Sequence, residues 1–333
     1  MPIKIGFFDT KPYDRKSFEK YNEDYGFEIH WFADRLNEEN MQLAQGMDAV
    51  CVFVDDTVNA PVVRYLAQNG VKLIALRCAG FNNVDLSAAE GKISVVRVPA
   101  YSPHAVAEYA ATLMLCLNRK VYRSVNRTRE FNFKLDGLMG FDMYGKTVGI
   151  VGMGRIAKVL IGILRGFGMH ILAYDLYPDM EFAKQNDVEV VDLDEIYRRS
   201  DIISLHVPLT PQTRFMINRV SINKMKKGVM IINTGRGKLI HTEDLILGLR
   251  SGQVSAAGLD VYEYEQKFFY EDWSDQMVND DKLSILVSMP NVILTSHQAF
   301  FTREALQNIA QTTLDNVKSY FDDGVVKNEV KNK

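Results

Sequence analysis

Val148-Gly149-Ile150-Val151-Gly152-Met153-Gly154-Arg155-Ile156-Ala157 is a short apolar run that turns through two glycines into a helical pattern over residues 157–166. It reads as a buried strand, a G-x-G-x-x-A turn and a helix. Gly152 permits the tight turn. Gly154 lets backbone N–H groups approach a pyrophosphate at the positive end of the helix, and Ala157 is the small residue needed where helix meets strand. The next strand pattern, 170–174, ends at Asp175, about 20 residues past the glycines, where an acid binds the adenosine ribose. A carboxylate there accepts from both ribose hydroxyls and repels a 2′-phosphate. Leu176-Tyr177-Pro178 brings no arginine to reverse that preference, so the spacing predicts NAD(H) rather than NADP(H).

The strand–helix rhythm extends in both directions. Further strands are expected at 147–151, 202–207, 229–233, 256–259 and 292–295, enough for a full doubly wound nucleotide domain. Upstream, 3–8, 49–54, 73–76 and 94–98 read as four buried strands, with helical patterns at 16–25 and 60–68. After Tyr101, Ser102 suits a helix N-cap and Pro103 the first helical position; a long apolar helix then runs through Leu117. Residues 262–286, aromatic and acidic, look like a long functional loop. A last helix is expected over 302–320, with a frayed tail from 327.

Composition narrows the function. At 333 residues the chain suits about two domains, and 47% hydrophobic with 24% charged residues is ordinary for a globular protein. Thirty-nine basic against 42 acidic residues, without a Lys/Arg block, argue against a nucleic-acid partner. No run approaches the roughly 18 apolar residues of a membrane span. The N-terminus reads as an opening strand, not a secretion signal. Cys51, Cys78 and Cys116 are odd in number, far apart and in apolar contexts. They fit buried, reduced thiols in the cytoplasm and no metal site.

Polar residues at the carboxyl ends of predicted strands are the candidates for chemistry. His206 leads into Val207-Pro208-Leu209-Thr210-Pro211, a loop suited to lining a cofactor. His297 follows the last strand and is the candidate acid/base. Arg236, in the turn Thr234-Gly235-Arg236-Gly237, is placed to grip a carboxylate and orient an adjacent carbonyl. A carboxylate beside the imidazole would stabilise its protonated form. Spacing does not distinguish Glu263 from Glu265 for that role.

Taken together, the stretches 149–156, 206–210, 233–237, 258–263 and 295–300 resemble the D-isomer-specific 2-hydroxyacid dehydrogenase family over essentially the whole chain. Within it, 76–85, 98–103 and 140–146 look most like the fermentative D-lactate dehydrogenase branch. The resemblance implies a catalytic set of Arg236, Glu265 and His297, and so selects the second glutamate. It implies cofactor contacts at Gly152, Gly154, Arg155, Ile156, Asp175, Val207, Pro208, Thr213, Thr234, Gly235 and Asp260. Backbone N–H groups near Ala79 and Gly80 are implied to hold the substrate carboxylate, and Phe53, Tyr101 and Phe300 to line a pocket with room for little beyond a methyl group. The implied reaction is reversible reduction of pyruvate to D-lactate with NADH. Gly235 and Tyr109 depart from the Ser or Ala and the His that many relatives carry. Glu265 argues against the related formate dehydrogenases, which pair their histidine with Gln.

The expected fold is therefore α/β, with two Rossmann-like or flavodoxin-like domains on parallel sheets. An NAD-binding domain, 103–296, is inserted into a discontinuous substrate-binding domain, 1–102 with 297–333, and the catalytic cleft is expected between them. By family analogy 103–118 and 119–133 suit the interface of a homo-oligomer, dimer or tetramer. Competing readings are a broader dehydrogenase of hydroxyisocaproate, glyoxylate or hydroxypyruvate, and an NADH-responsive binding protein on the same fold.

Overall fold

Short apolar segments that are buried on both faces can satisfy their backbones only by pairing, and here they pair in parallel. The computed structural model describes residues 2–332. The chain divides into two compact units, Met1–Ser102 with Phe301–Lys333, and Pro103–Phe300.

The first unit carries β1 (Lys4–Phe7), β2 (Glu28–Trp31), β3 (Ala49–Val52), β4 (Leu73–Leu76) and β5 (Ser94–Arg97). They form a parallel sheet of order β2-β1-β3-β4-β5. β3 and β4 are buried at every position, which explains their unbroken apolar sequence. β2 was absent from the expected four strands. It lies at the sheet edge with Glu28 exposed and the rest half-buried, so it has no apolar run to announce it. The helix Arg303–Asp323 packs against β4 and the helix Pro12–Asn22; Thr302 caps it by accepting the Ala305 N–H at 3.2 Å. The tail expected to fray instead pairs with β5, through Val330 N–H to Val95 O (2.8 Å) and Arg97 N–H to Asn328 O (3.2 Å).

The second unit carries β6 (Thr147–Val151), β7 (His170–Tyr174), β8 (Val188–Val190), β9 (Ile202–Leu205), β10 (Val229–Asn233), β11 (Val254–Leu259) and β12 (Val292–Leu294). Their order is β12-β11-β10-β9-β6-β7-β8, again wholly parallel. The chain leaves β6 toward β7 and β8, then returns to place β9 on the other side. The carboxyl ends of β6 and β9 thus flank a topological switch point, where open α/β sheets bind ligands. One face is covered by the helices Pro103–Arg119 and Arg155–Gly166 through Ala110, Leu113, Leu160 and Leu164.

β8, a three-residue edge strand, lay below the length at which a pattern is visible. Residues 262–286 are not a loop throughout, since the helix Asp281–Ser288 begins within them, capped by Asp280. Residues 297–300 pack with the second unit rather than the first, because Asp260 holds their backbone. Cys51 and Cys78 are buried as expected, but Cys116 only partly.

Candidate active site

The glycine turn after β6 is shaped by its neighbours. Gly152 has φ +99°, and a Cβ there would stand 2.7 Å from the carbonyl oxygen of His206. Gly154 is different. It occupies the N-cap of the helix Arg155–Gly166 without a side-chain cap, and a Cβ on it would meet no atom within 4 Å. Protein packing therefore does not demand glycine at 154, whereas a ligand seated against the backbone would. Asp175, past β7, accepts the Met153 N–H at 2.6 Å on one oxygen and the Tyr177 N–H at 2.9 Å on the other. It ties the turn to the second strand, and each oxygen keeps a further lone pair for a ribose hydroxyl.

The loop after β9 completes this edge. The His206 N–H donates to Val151 O at 2.7 Å, and its Nε2 lies 2.8 Å from Ser204 Oγ. Burial pushes its pKa down to about 4, so His206 is neutral at physiological pH. Thr213 Oγ1 accepts the Thr210 N–H (2.8 Å) and donates to Pro208 O (2.6 Å), folding the Val207–Pro208 segment back on itself. After β10, Thr234 buries its hydroxyl without a hydrogen-bond partner among the described residues. An orphaned donor at this position fits a bound nucleotide. Arg155 and Ile156 begin the helix beside the turn. These residues fit NAD.

His297 sits beyond β12 in left-handed backbone, φ +53°, a conformation that costs a non-glycine residue energy. Its N–H donates to Asp260 O at 2.7 Å, and its carbonyl accepts from Tyr270 OH at 3.0 Å. Asp260 is fully buried. One carboxylate oxygen accepts from Thr295 Oγ1 (2.6 Å) and the Gln298 N–H (2.9 Å), the other from the Ala299 N–H (2.8 Å). Burial raises its pKa against the pull of these donors. The visible work of Asp260 is to hold the histidine loop.

Glu265 Oε1 lies 3.0 Å from His297 Nδ1, and Glu265 Oε2 accepts the Tyr262 N–H at 2.8 Å. Burial disfavours the imidazolium, but the hydrogen bond and charge of Glu265 outweigh it, with Arg236 opposing and Asp260 assisting. The net effect is a raised pKa. Glu263 is occupied elsewhere: it is buried, and its Oε2 accepts the Thr242 N–H at 3.3 Å at the start of the helix Thr242–Ser251. Geometry thus separates the two glutamates that spacing did not.

Arg236 extends from the turn after β10. Its Nη1 donates to Gly235 O at 2.8 Å; its other guanidinium N–H groups have no partner among the described residues. Asn233 braces the turn, accepting the Gly235 N–H (3.0 Å) and donating to Arg236 O (2.9 Å). Gly237 abuts the next loop so closely that a Cβ would fall 2.0 Å from Tyr262 O. Asn233, Gly237, Tyr270 and Tyr109, whose OH accepts from Gln298 Nε2 at 2.7 Å, were not expected to shape this site. Only the two turn residues carried a local signal; the tyrosines act across the fold.

In the first unit, the turn after β4 fixes the carbonyls of Ala79 and Gly80, through Arg97 Nη1 (2.8 Å) and Cys78 Sγ (3.2 Å). Their N–H groups have no partner among the described residues. Phe53 is buried beyond β3, and Tyr101 O accepts from Asn308 Nδ2 at 2.5 Å. Phe300 is buried in the second unit.

The family model described as "D-isomer specific 2-hydroxyacid dehydrogenase, NAD binding domain" matches residues 111–299. The D-lactate dehydrogenase of Escherichia coli (strain K12) is 48% identical over 318 residues, covering 95% of this chain and 96% of that protein. The apo-structure of D-lactate dehydrogenase from Escherichia coli matches with a TM-score of 0.89 and 45% identity, over 98% of this chain and 100% of that one. The pyruvate reductase of Chlamydomonas reinhardtii gives a TM-score of 0.92 at 42% identity, with 98% of each chain covered.

Proposed function

The chain belongs to the D-isomer-specific 2-hydroxyacid dehydrogenase family, and on that footing we propose that it is an NAD-dependent D-lactate dehydrogenase, reversibly reducing pyruvate to D-lactate. The observation that carries the reading is the Glu265–His297 pair beside Arg236 at the carboxyl edge of the second sheet.

Arg236 binds the substrate carboxylate and polarises the keto oxygen with the N–H groups that Gly235 leaves unused. His297 points Nδ1 at Glu265, so Nε2 carries the proton given to the forming alkoxide. Glu265 keeps that proton in place by raising the imidazole pKa. Bound NADH supplies the hydride to the keto carbon. Its contacts are assigned to Gly152, Gly154, Arg155, Ile156, Asp175, Val207, Pro208, Thr213, Thr234, Gly235 and Asp260. The Ala79 and Gly80 N–H groups are assigned to the carboxylate, and Phe53, Tyr101 and Phe300 to the methyl group. The first unit is accordingly the substrate-binding domain.

We also place the protein in the cytoplasm, where its three cysteines, none of them in a disulfide, stay reduced. We read it as a homo-oligomer, because Phe131, Phe133, Leu135 and Met139 expose an apolar stretch too long for an isolated surface. The test is NADH oxidation with pyruvate, glyoxylate, hydroxypyruvate and 2-ketoisocaproate, with the chirality of the product determined. Highest kcat/KM for pyruvate and a D-product are expected. Comparable rates for the larger acids would widen the assignment; negligible turnover with tight NADH binding would replace it with a nucleotide-responsive binding protein.

A further inference from the structure

Arg77, at the end of β4, is among the largest fully buried side chains in the molecule. A buried guanidinium needs compensation from every side. Its Nη2 donates to Asp9 O at 2.7 Å, and its Nε lies 3.4 Å from Asp14 Oδ2. Its Cζ lies over two rings, 4.5 Å from the centroid of Phe7 and 4.8 Å from that of Phe53. The Phe53 backbone is held just as closely. Its N–H donates to Asp56 at 2.5 Å, and its carbonyl accepts from Asn83 Nδ2 at 2.7 Å; the same nitrogen donates to Asp56 O at 2.9 Å. Arg77 also opens the turn whose Ala79 and Gly80 N–H groups have no partner among the described residues, and its own N–H donates to Val52 O at 3.1 Å.

A methionine of similar length would fill this space without burying a charge, so packing alone does not call for arginine. What arginine adds is a countercharge for buried Asp14 and a flat guanidinium set over the Phe53 ring, which restricts where that ring can lie. We propose that Arg77 is a positioning residue that sets the size selectivity of the 2-keto acid site by holding the Phe53 ring against the substrate side chain. This rests on the dehydrogenase reading above and on the placement of Phe53 at the substrate.

The test compares kcat/KM for pyruvate and for 2-ketobutyrate, one methylene longer, in the full-length enzyme and in Arg77→Lys, Phe53→Ala and the double variant. Lysine keeps the charge and loses the plane. Arg77→Lys is expected to cut the preference for pyruvate about tenfold, the scale of one methylene in an apolar pocket. The change should appear in the pyruvate KM rather than in kcat, with NADH binding, followed by its fluorescence, unaltered. In the Phe53→Ala background the same substitution should leave the ratio where Phe53→Ala put it. An effect of equal size with and without the ring, or an unmoved ratio, overturns the proposal. Asn83→Ala, which removes the donor to Phe53 O without touching a charge, should move the ratio in the same direction and carries the test if Arg77→Lys does not fold. If wild-type enzyme reduces no 2-keto acid, the functional reading falls and this proposal with it; if it reduces pyruvate and both variants leave the ratio unchanged, only the role of Arg77 falls.

Discussion

Glu265 and His297 are held together from both ends. The carboxylate reaches the imidazole Nδ1 at 3.0 Å with one oxygen and anchors on the Tyr262 N–H at 2.8 Å with the other. The histidine backbone, strained at φ +53°, is pinned by Asp260 on its N–H and Tyr270 on its carbonyl. Neither partner needs to reorganise to present a proton on Nε2, which is the condition for efficient general acid catalysis.

Glu265→Gln should therefore move the alkaline limit of pyruvate reduction to lower pH. In the proposed mechanism, reduction needs protonated His297. The carboxylate charge raises the imidazole pKa, and a neutral amide removes that support. The limb in kcat/KM is expected to move to lower pH, because the contacting opposite charge that favours the imidazolium is gone. A limb that stays in place in a full pH profile would remove Glu265 from this role.

The two histidines at the sheet edge should behave oppositely. His206, held at about pKa 4 by burial, has no proton to give at neutral pH. His297→Gln should lower kcat by about 10²–10⁴, the range for loss of a general acid. His206→Gln should leave the pH limb unmoved and act on the KM for NADH. A shifted limb in that second variant would reassign the proton donor.

How much of this was legible in the sequence depends on whether the cause was local. The Gly152–Gly154 turn and Asp175 could be read because their spacing follows from one strand, one turn and one helix. β2 and β8 could not, since edge strands need no apolar run. Glu263 and Glu265 differ only in which distant group each meets, Thr242 or His297, and no local pattern encodes that. Asp260 is similar. Its position at a strand end marked it, but its hold on residues 295–299 joins two segments more than thirty residues apart.

Asp175 should govern cofactor choice. A carboxylate and a phosphate about 4 Å apart repel by about 1 kcal/mol even in water, and more in a partly buried site. Asp175→Asn keeps an acceptor for the Met153 N–H and discards the charge. The ratio of kcat/KM for NADPH to that for NADH should rise about tenfold, equivalent to roughly 1.4 kcal/mol. An unchanged ratio would place the ribose elsewhere.

Two glycine-to-alanine substitutions should separate architecture from ligand binding. At Gly237 a Cβ would lie 2.0 Å from Tyr262 O, 2.1 Å from Tyr262 C and 2.6 Å from Glu263 N, all backbone atoms that cannot swing aside. The turn bearing Arg236 and the segment leading to Glu265 must then part, and the Tyr262 N–H that anchors the Glu265 carboxylate moves with them. Gly237→Ala should cost about 1–3 kcal/mol of stability, as overpacking does. It should also lower kcat/KM for pyruvate by about 10²-fold, the penalty for a misplacement of about 1 Å. At Gly154 a Cβ meets nothing within 4 Å of the protein. Gly154→Ala should leave the melting temperature unchanged and weaken NADH binding, measured by fluorescence titration. Equal losses of thermal stability in both variants would show that residue 154 is constrained by the fold and not by the nucleotide.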